Sequence, residues 1–131
     1  MAHILVVDDE KDVVYLIKFI LETCGHSVST ACNGQEALAL LGIEPANIST
    51  TLPDLVLLDV MMPIVDGHTV SIKMREDQRT QRLPIIIVTA RGDMRHLFEG
   101  ASNIAGYMQK PFDPKRLREQ VDSLVAGSGH G

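Results

Sequence analysis

The chain has 131 residues, of which 45% are hydrophobic, and a formal net charge of -5 at pH 7. This length suits one domain with its own core, and the hydrophobic share excludes a disordered chain. The negative charge argues against direct nucleic-acid binding, which needs a basic face, and no apolar run is long enough to span a membrane. The first residues leave no room for a signal peptide, and Cys24 and Cys32 lack metal-binding spacing, so we expect a cytoplasmic protein with free thiols.

The first half of the chain alternates between strand and helix patterns. Residues 4–7 are an apolar run too short for a helix, and an apolar stripe over 13–24 predicts a helix behind it. Residues 26–31 are weakly apolar and predict a second strand at the edge of a sheet. A short helix is predicted over 33–41, followed by a surface loop over 42–53 that is rich in proline and small polar residues.

The second half repeats the alternation three times. Its apolar runs predict strands at 55–58, 85–88 and 105–108. The predicted helices are one that carries Val70 and Met74, one over 94–102, and one that begins with Asp113 as N-cap and Pro114 as its first residue. We expect one domain over residues 1–126 and a flexible tail over 127–131.

Five strands alternating with five helices predict an α/β domain, in which right-handed crossovers build a parallel sheet covered on both faces. Ligands of such sheets bind at the carboxyl ends of the strands. The residues that leave those ends are Asp8-Asp9, Asp59, Thr89-Ala90 and Lys110. Carboxylates packed together take up protons unless a cation stabilises their ionised forms, and a hard divalent cation does so. The pattern therefore points to phosphate chemistry with a metal.

Six segments, in this order, resemble the receiver domain of two-component response regulators. They are VVDDE at 6–10, NGQEAL at 33–38, DLVLLDVMMP at 54–63, DG at 66–67, PIIIVTA at 84–90 and YMQKPF at 107–112. The resemblance covers essentially the whole chain up to the glycine-rich tail. It implies a single doubly wound, flavodoxin-like domain with strand order 2-1-3-4-5, acting as a signalling switch rather than as a turnover enzyme.

The resemblance also implies how the acidic residues act. Asp59 corresponds to the phosphoacceptor, an ionised carboxylate that attacks phosphorus. Asp8 and Asp9 correspond to the acid pair that holds Mg²⁺ (or Mn²⁺), together with Asp59 and the backbone carbonyl of Met61. The metal neutralises charge on the incoming phosphoryl oxygens.

The remaining site residues would bind the phosphoryl group and report its presence. By resemblance, Lys110 pairs with a phosphoryl oxygen, and the peptide bond before Pro111 is cis. Thr89 donates its hydroxyl to the phosphoryl group, and Ala90 is small enough to leave room for it. Tyr107 corresponds to the switch aromatic, whose ring turns inward when Thr89 moves.

The partners follow from the same resemblance. The donor would be a sensor histidine kinase or a phosphotransfer protein. Phosphorylation would change the surface formed by the last two predicted helices and the fifth strand. The reader of that surface would be a downstream target protein or a missing output domain.

Three other functions fit the sequence less well than the switch. A phosphohydrolase with an aspartyl nucleophile usually has a second acid two residues later, where this chain has Met61. An FMN carrier on the same sheet needs a polar, uncharged first loop, whereas Asp8, Asp9 and Glu10 would repel its phosphate. A degenerate receiver would lack part of the acid, hydroxyl and amine set, which is complete here.

Overall fold

The structure is a computed structural model that describes residues 2–90 and 92–128. Five strands alternate with four α-helices and one 3₁₀-helix. In chain order they are β1 (His3–Val7), α1 (Lys11–Thr23), β2 (Ser27–Ala31), α2 (Gly34–Leu40), β3 (Leu55–Leu58), α3 (Gly67–Glu76), β4 (Ile85–Thr89), the 3₁₀-helix (Gly92–Phe98), β5 (Ile104–Gln109) and α4 (Pro114–Ser128). Every predicted strand is confirmed to within one residue at each end.

The strands form one parallel sheet in the order β2-β1-β3-β4-β5. This is the 2-1-3-4-5 order implied by the resemblance, and it leaves the weakly apolar β2 at one edge. The order reverses between β1 and β3, so a crevice opens at the carboxyl ends of these two strands.

Alternate residues of the strands pack against helices on opposite faces of the sheet. Leu5 and Val7 of β1 belong to the core cluster that α2 and α3 cover. Ile4 and Val6 belong to the cluster that α1 and α4 cover. Because both of their faces are buried, the central strands β1, β3 and β4 are apolar without alternation, as expected for a parallel sheet. Among the described residues, no helix is both long enough and apolar enough to cross a bilayer.

The prediction of five α-helices is wrong for the segment after β4. Residues 94–102 do not form an α-helix, and a 3₁₀-helix over Gly92–Phe98 stands there instead. Gly100 has a φ of 76°, the left-handed region that ends a helix. The 3₁₀-helix ends at the buried Phe98, two residues before Gly100. The Phe98 carbonyl accepts a hydrogen bond from the Ala101 amide (3.0 Å).

The predicted loop over 42–53 is confirmed, and one side chain organises it. The Arg79 guanidinium donates to the carbonyl oxygens of Asn47 (2.9 Å) and Thr50 (2.7 Å). Lys73 on α3 pairs with Glu44 at the start of the loop. The loop leads into the amino end of β3, where the Asp54 amide donates to the His3 carbonyl (2.7 Å). The loop therefore meets the sheet at the amino ends of β1 and β3, whereas the crevice is at their carboxyl ends.

The carboxyl end of the chain is helical further than the limit we expected for the domain. Helix α4 reaches Ser128, whereas the flexible tail was expected over 127–131. Residues 129–131 lie outside the described part of the chain. The limits of the domain therefore remain a prediction.

Candidate functional site

The pairing of β1 with β3 brings the two buried aspartates together. Val7 is in register with Leu58, so Asp8 and Asp59 leave adjacent strands side by side. The Asp59 amide donates to the Val7 carbonyl (2.9 Å), which fixes the backbone at this point. Asp8 is 2% exposed and Asp59 is 4% exposed. Two carboxylates so deeply buried need a counter-charge, because desolvation and mutual repulsion both disfavour their ionised forms.

Lys110 supplies this counter-charge from the end of β5. Its backbone amide donates to the Thr89 carbonyl (2.8 Å), and the Lys110-Pro111 bond is cis, as the resemblance implies. The ammonium Nζ lies 2.7 Å from Asp8, 2.9 Å from Glu10 and 3.4 Å from Asp59. The side chain is only 10% exposed, so these ion pairs are poorly screened by water.

Burial and neighbouring charges both shift the pKa values of Asp59 and Lys110. Lys110 is the counter-charge of Asp8, Glu10 and Asp59, which we call the acid cluster. Burial raises the pKa of the Asp59 carboxyl from 3.8 to about 6, and the charge of Asp8 adds to the rise. Lys110 and the Met61 amide act in the opposite direction. Burial lowers the pKa of the Lys110 ammonium, but its contacts with Asp8, Glu10 and Asp59 outweigh that effect and raise the pKa overall. The cluster therefore retains an excess of negative charge.

Three carboxylates lie close enough together to hold a metal, and one of them, Glu10, was not predicted from the sequence to be a metal ligand. Oxygens of Asp8, Glu10 and Asp59 all lie within 4.8 Å of one another. From the sequence, Glu10 was expected only to help repel the phosphate of FMN, yet its carboxylate contacts Lys110. The signal was its position as the third consecutive acid after β1. Asp9 is exposed and does not belong to this group, so its role as a ligand remains a prediction.

The loop after β3 lies against Asp59. The Met61 amide donates to the Asp59 carboxylate (3.3 Å), while the Met61 side chain is 54% exposed. Asp66 caps α3 by accepting from the Thr69 amide (2.8 Å). Gly67, the first residue of α3, packs on the Asp59 backbone so closely that a Cβ atom there would lie 2.1 Å from the Asp59 carbonyl oxygen. The start of α3 therefore supports the backbone of Asp59 from behind.

The predicted phosphoryl-binding and switch residues line the neighbouring strand ends. Thr89 is buried at the end of β4, and Ala90 follows it on the surface. Tyr107 on β5 is half-buried and pairs with Ile87, two residues before Thr89. The structure thus brings Asp8, Asp59, Thr89 and Lys110 to one edge, with Tyr107 on the adjoining strand.

Comparison with known proteins agrees with this geometry. Residues 4–122 match the family model of the response regulator receiver domain. Response regulator PleD of Caulobacter vibrioides is 41% identical over 95% of this chain, which spans 26% of PleD. Protein PilH of Pseudomonas aeruginosa is 34% identical over 97% of this chain and is covered along its whole length. This chain spans about half the length of several transcriptional regulators that it matches.

A solved structure extends the similarity to three dimensions. Response regulator TrrA of Thermotoga maritima, crystallised in complex with Mg²⁺-BeF, superimposes with a TM-score of 0.78 at 34% sequence identity. The match covers 95% of this chain and 99% of TrrA. The family match spans both the parallel sheet and the acid cluster at its edge. The chain belongs to the response regulator receiver domain family.

Proposed function

We propose that this chain accepts a phosphoryl group on Asp59 from a histidine kinase or a phosphotransfer protein. One observation carries the proposal: the buried carboxylates of Asp8 and Asp59 both lie within 3.4 Å of the Lys110 ammonium, at the crevice between β1 and β3. A stabilising role alone would favour apolar residues here, since buried charge clusters cost free energy.

Asp59 has the properties of the nucleophile. Its pKa of about 6 leaves the carboxylate mostly ionised at pH 7, and the Met61 amide and Lys110 hold it in place. An Asp59 oxygen forms a bond to phosphorus while the bond from phosphorus to the donor nitrogen breaks. The Asp59 carboxylate thereby becomes an acyl phosphate, and Lys110 is close enough to pair with its oxygens.

The donor set fits a hard divalent cation. Asp8, Glu10 and Asp59 offer only carboxylate oxygens, which Mg²⁺ and Mn²⁺ prefer. Burial, and after it the charge of Asp8, raises the pKa of Asp59, and a bound cation would oppose both effects. We propose that Asp8 and Asp59 hold the ion, with Asp9, Glu10 and the Met61 carbonyl as further candidates. The ion, when bound, neutralises charge on the phosphoryl oxygens.

The outcome would be a change of surface rather than a released product. Thr89 and Tyr107 would carry the change to the 3₁₀-helix, β5 and α4, and a partner protein or an output domain would read it. The protein would therefore act in the cytoplasm as a switch and not as a turnover enzyme. One relative, RpaA of Synechocystis, is named as DNA-binding, but the net charge of -5 supports a chain that does not itself bind DNA.

The direct test is phosphorylation by a small-molecule donor. The wild-type chain, Asp59→Asn and Asp12→Asn are incubated with acetyl phosphate, with and without Mg²⁺, and their intact masses are measured. Asp12 is an exposed first-turn acid of α1 and serves as the matched control. We expect one added phosphoryl group in the wild type and in Asp12→Asn, only with Mg²⁺, and none in Asp59→Asn. An adduct that persists in Asp59→Asn would assign the acceptor to another residue.

A further inference from the structure

The ring of Tyr107 lies between a cation and a buried aromatic ring. The guanidinium carbon of Arg95, on the 3₁₀-helix, is 4.7 Å from the centroid of the Tyr107 ring. The ring centroid of Phe98, one turn further along, is 6.3 Å away with the two planes inclined at 61°. Two residues of one short helix therefore contact the same tyrosine.

The two contacts differ in how firmly they are anchored. Phe98 is 3% exposed and also packs edge-on against His68 of α3, with ring centroids 5.4 Å apart. Arg95 is exposed, and among the residues that the structure describes it forms no ion pair with a carboxylate. The guanidinium of Arg95 instead lies over the face of the Tyr107 ring, and the two attract each other as a cation–π pair.

The Tyr107 ring occupies this position while Lys110 is ion-paired with the acid cluster. Lys110, three residues after Tyr107, pairs directly with the carboxylates of Asp8 and Asp59. A phosphoryl group on Asp59 would add negatively charged oxygens within reach of Lys110 and would change these ion pairs. The Tyr107 position seen here therefore belongs to the form in which Lys110 still contacts the Asp59 carboxylate.

We propose that Arg95 is a positioning residue that holds Tyr107 in this form and thereby sets how readily the chain adopts the phosphorylated form. This inference rests on the proposed phosphorylation of Asp59. An inward turn of the Tyr107 ring would carry it away from the exposed Arg95 guanidinium, which now lies 4.7 Å from the ring centroid, and the cation–π attraction would be lost. Loss of Arg95 therefore removes a restraint on one side of the equilibrium only.

The size of the effect follows from the strength of the contact. A cation–π pair at an exposed site contributes about 0.5–1 kcal/mol, which corresponds to roughly a two- to fivefold shift in the equilibrium. The apparent affinity for a group that binds only the second form rises by the same factor when that form becomes more populated. Arg95→Ala should therefore bind such a group about two to five times more tightly.

The sequence offers a clean optical test. Tyr15 and Tyr107 are the only tyrosines and there is no tryptophan, so Tyr15→Phe leaves Tyr107 as the sole tyrosine fluorophore. The Tyr15→Phe protein is the parent. Beryllofluoride with Mg²⁺ is titrated into this parent and into its Arg95→Ala, Arg95→Lys and Arg116→Ala variants. Arg116 lines the same cavity as Arg95 and Tyr107 and is exposed, so its removal matches the loss of charge. Circular dichroism confirms that each variant is folded.

The midpoint is the beryllofluoride concentration at which half of the Tyr107 fluorescence change has occurred. We expect it to fall about two- to fivefold in Arg95→Ala and to stay unchanged in Arg116→Ala. In Arg95→Lys it should lie between the values for the parent protein and for Arg95→Ala. An unchanged or raised midpoint in Arg95→Ala, or an equal fall in Arg116→Ala, would overturn the role of Arg95. If the parent protein itself gave no response and no acetyl phosphate adduct, the proposed function would fail instead. If Arg95→Ala is not folded, Arg95→Lys decides by the same comparison.

Discussion

The Lys110 ammonium lies closer to Asp8 than to Asp59, at 2.7 Å against 3.4 Å. Lys110 is therefore the counter-charge of the whole acid cluster and not only a partner of the proposed phosphoacceptor. Its third contact, with Glu10, leads toward the surface. A divalent cation that enters the cluster brings a second positive charge to the same carboxylates, so the stability of the site should depend on lysine and metal together.

Lys110→Met should destabilise the chain, because Asp8 and Asp59 would stay buried without a cation. We expect the free energy of unfolding to fall by about 3 kcal/mol in the absence of divalent cations. Mg²⁺ should recover part of this loss, since the ion takes over the neutralisation. Urea unfolding with and without Mg²⁺ measures both effects, and Lys115→Met, at an exposed site on α4, is the control. A loss equal to that of the control would contradict the assigned role of Lys110.

Asp59→Asn should make the stability of the chain less dependent on pH. The pKa of Asp59 in the folded chain, about 6, exceeds its ordinary value of 3.8, so the folded state binds this proton more tightly than the unfolded state. The contribution of Asp59 to stability is present below pH 3.8 and is lost as the pH rises toward 6. At pH 8 without divalent cations, the variant should therefore be more stable than the wild type, by about 1–3 kcal/mol.

Urea unfolding at pH 4 and pH 8 measures this difference. The stability gain of Asp59→Asn over the wild type should be smaller at pH 4 than at pH 8. At the lower pH, Asp59 of the wild type is protonated more often in both the folded and the unfolded state. Asp12→Asn, at an exposed site, should show no such dependence. A variant that is less stable than the wild type at pH 8 would mean that Lys110 compensates for the buried charge of Asp59 fully.

Gly67→Ala should disturb both folding and phosphorylation. A Cβ atom at this position would lie 2.1 Å from the Asp59 carbonyl oxygen, and backbone cannot move aside as a flexible side chain can. We expect a loss of about 3 kcal/mol or more in the free energy of unfolding and slower labelling by acetyl phosphate. Gly106→Ala is the matched control, since its nearest contact would be an ordinary 3.7 Å. Equal stability of the two variants would show that α3 can shift away from Asp59 at little cost.

Arg79→Ala should loosen the loop over 42–53 without affecting the site. The guanidinium donates to the carbonyls of Asn47 and Thr50, and hydrogen bonds from charged donors are stronger than neutral ones. We expect a loss of about 1–3 kcal/mol in stability and faster amide hydrogen exchange within the loop. The rate of labelling of Asp59 by acetyl phosphate should not change. Arg82→Ala, at an exposed neighbouring site, should leave both stability and exchange unaltered.

Local sequence signals predicted most of the fold. β3 was predicted at its observed limits because its apolar run is bounded by Asp54 and Asp59. The start of α4 was also predicted correctly, and the Asp113 carboxylate accepts from the Lys115 amide (3.0 Å) as an N-cap does. These features depend on residues that are close along the chain.

The features that escaped prediction depend on contacts between distant parts of the chain. Glu10 and Lys110 are separated by 100 residues, and nothing near either of them indicates the other. The 3₁₀-helix in place of an α-helix reflects the packing of Phe98 between His68 and Tyr107, together with the left-handed Gly100. The Arg95–Tyr107 contact follows from the resulting helical register, which no local pattern specifies.

The position of the long loop has a practical use. Ile48, within this loop, is 85% exposed, and the loop leads into the amino end of β3, whereas the acid cluster lies at the carboxyl ends of the strands. A dye or a surface linker attached at residue 48 would leave the crevice open to solution. Molecules tethered in this way would all present the same side to a binding partner in solution, which suits oriented biosensor and single-molecule recordings.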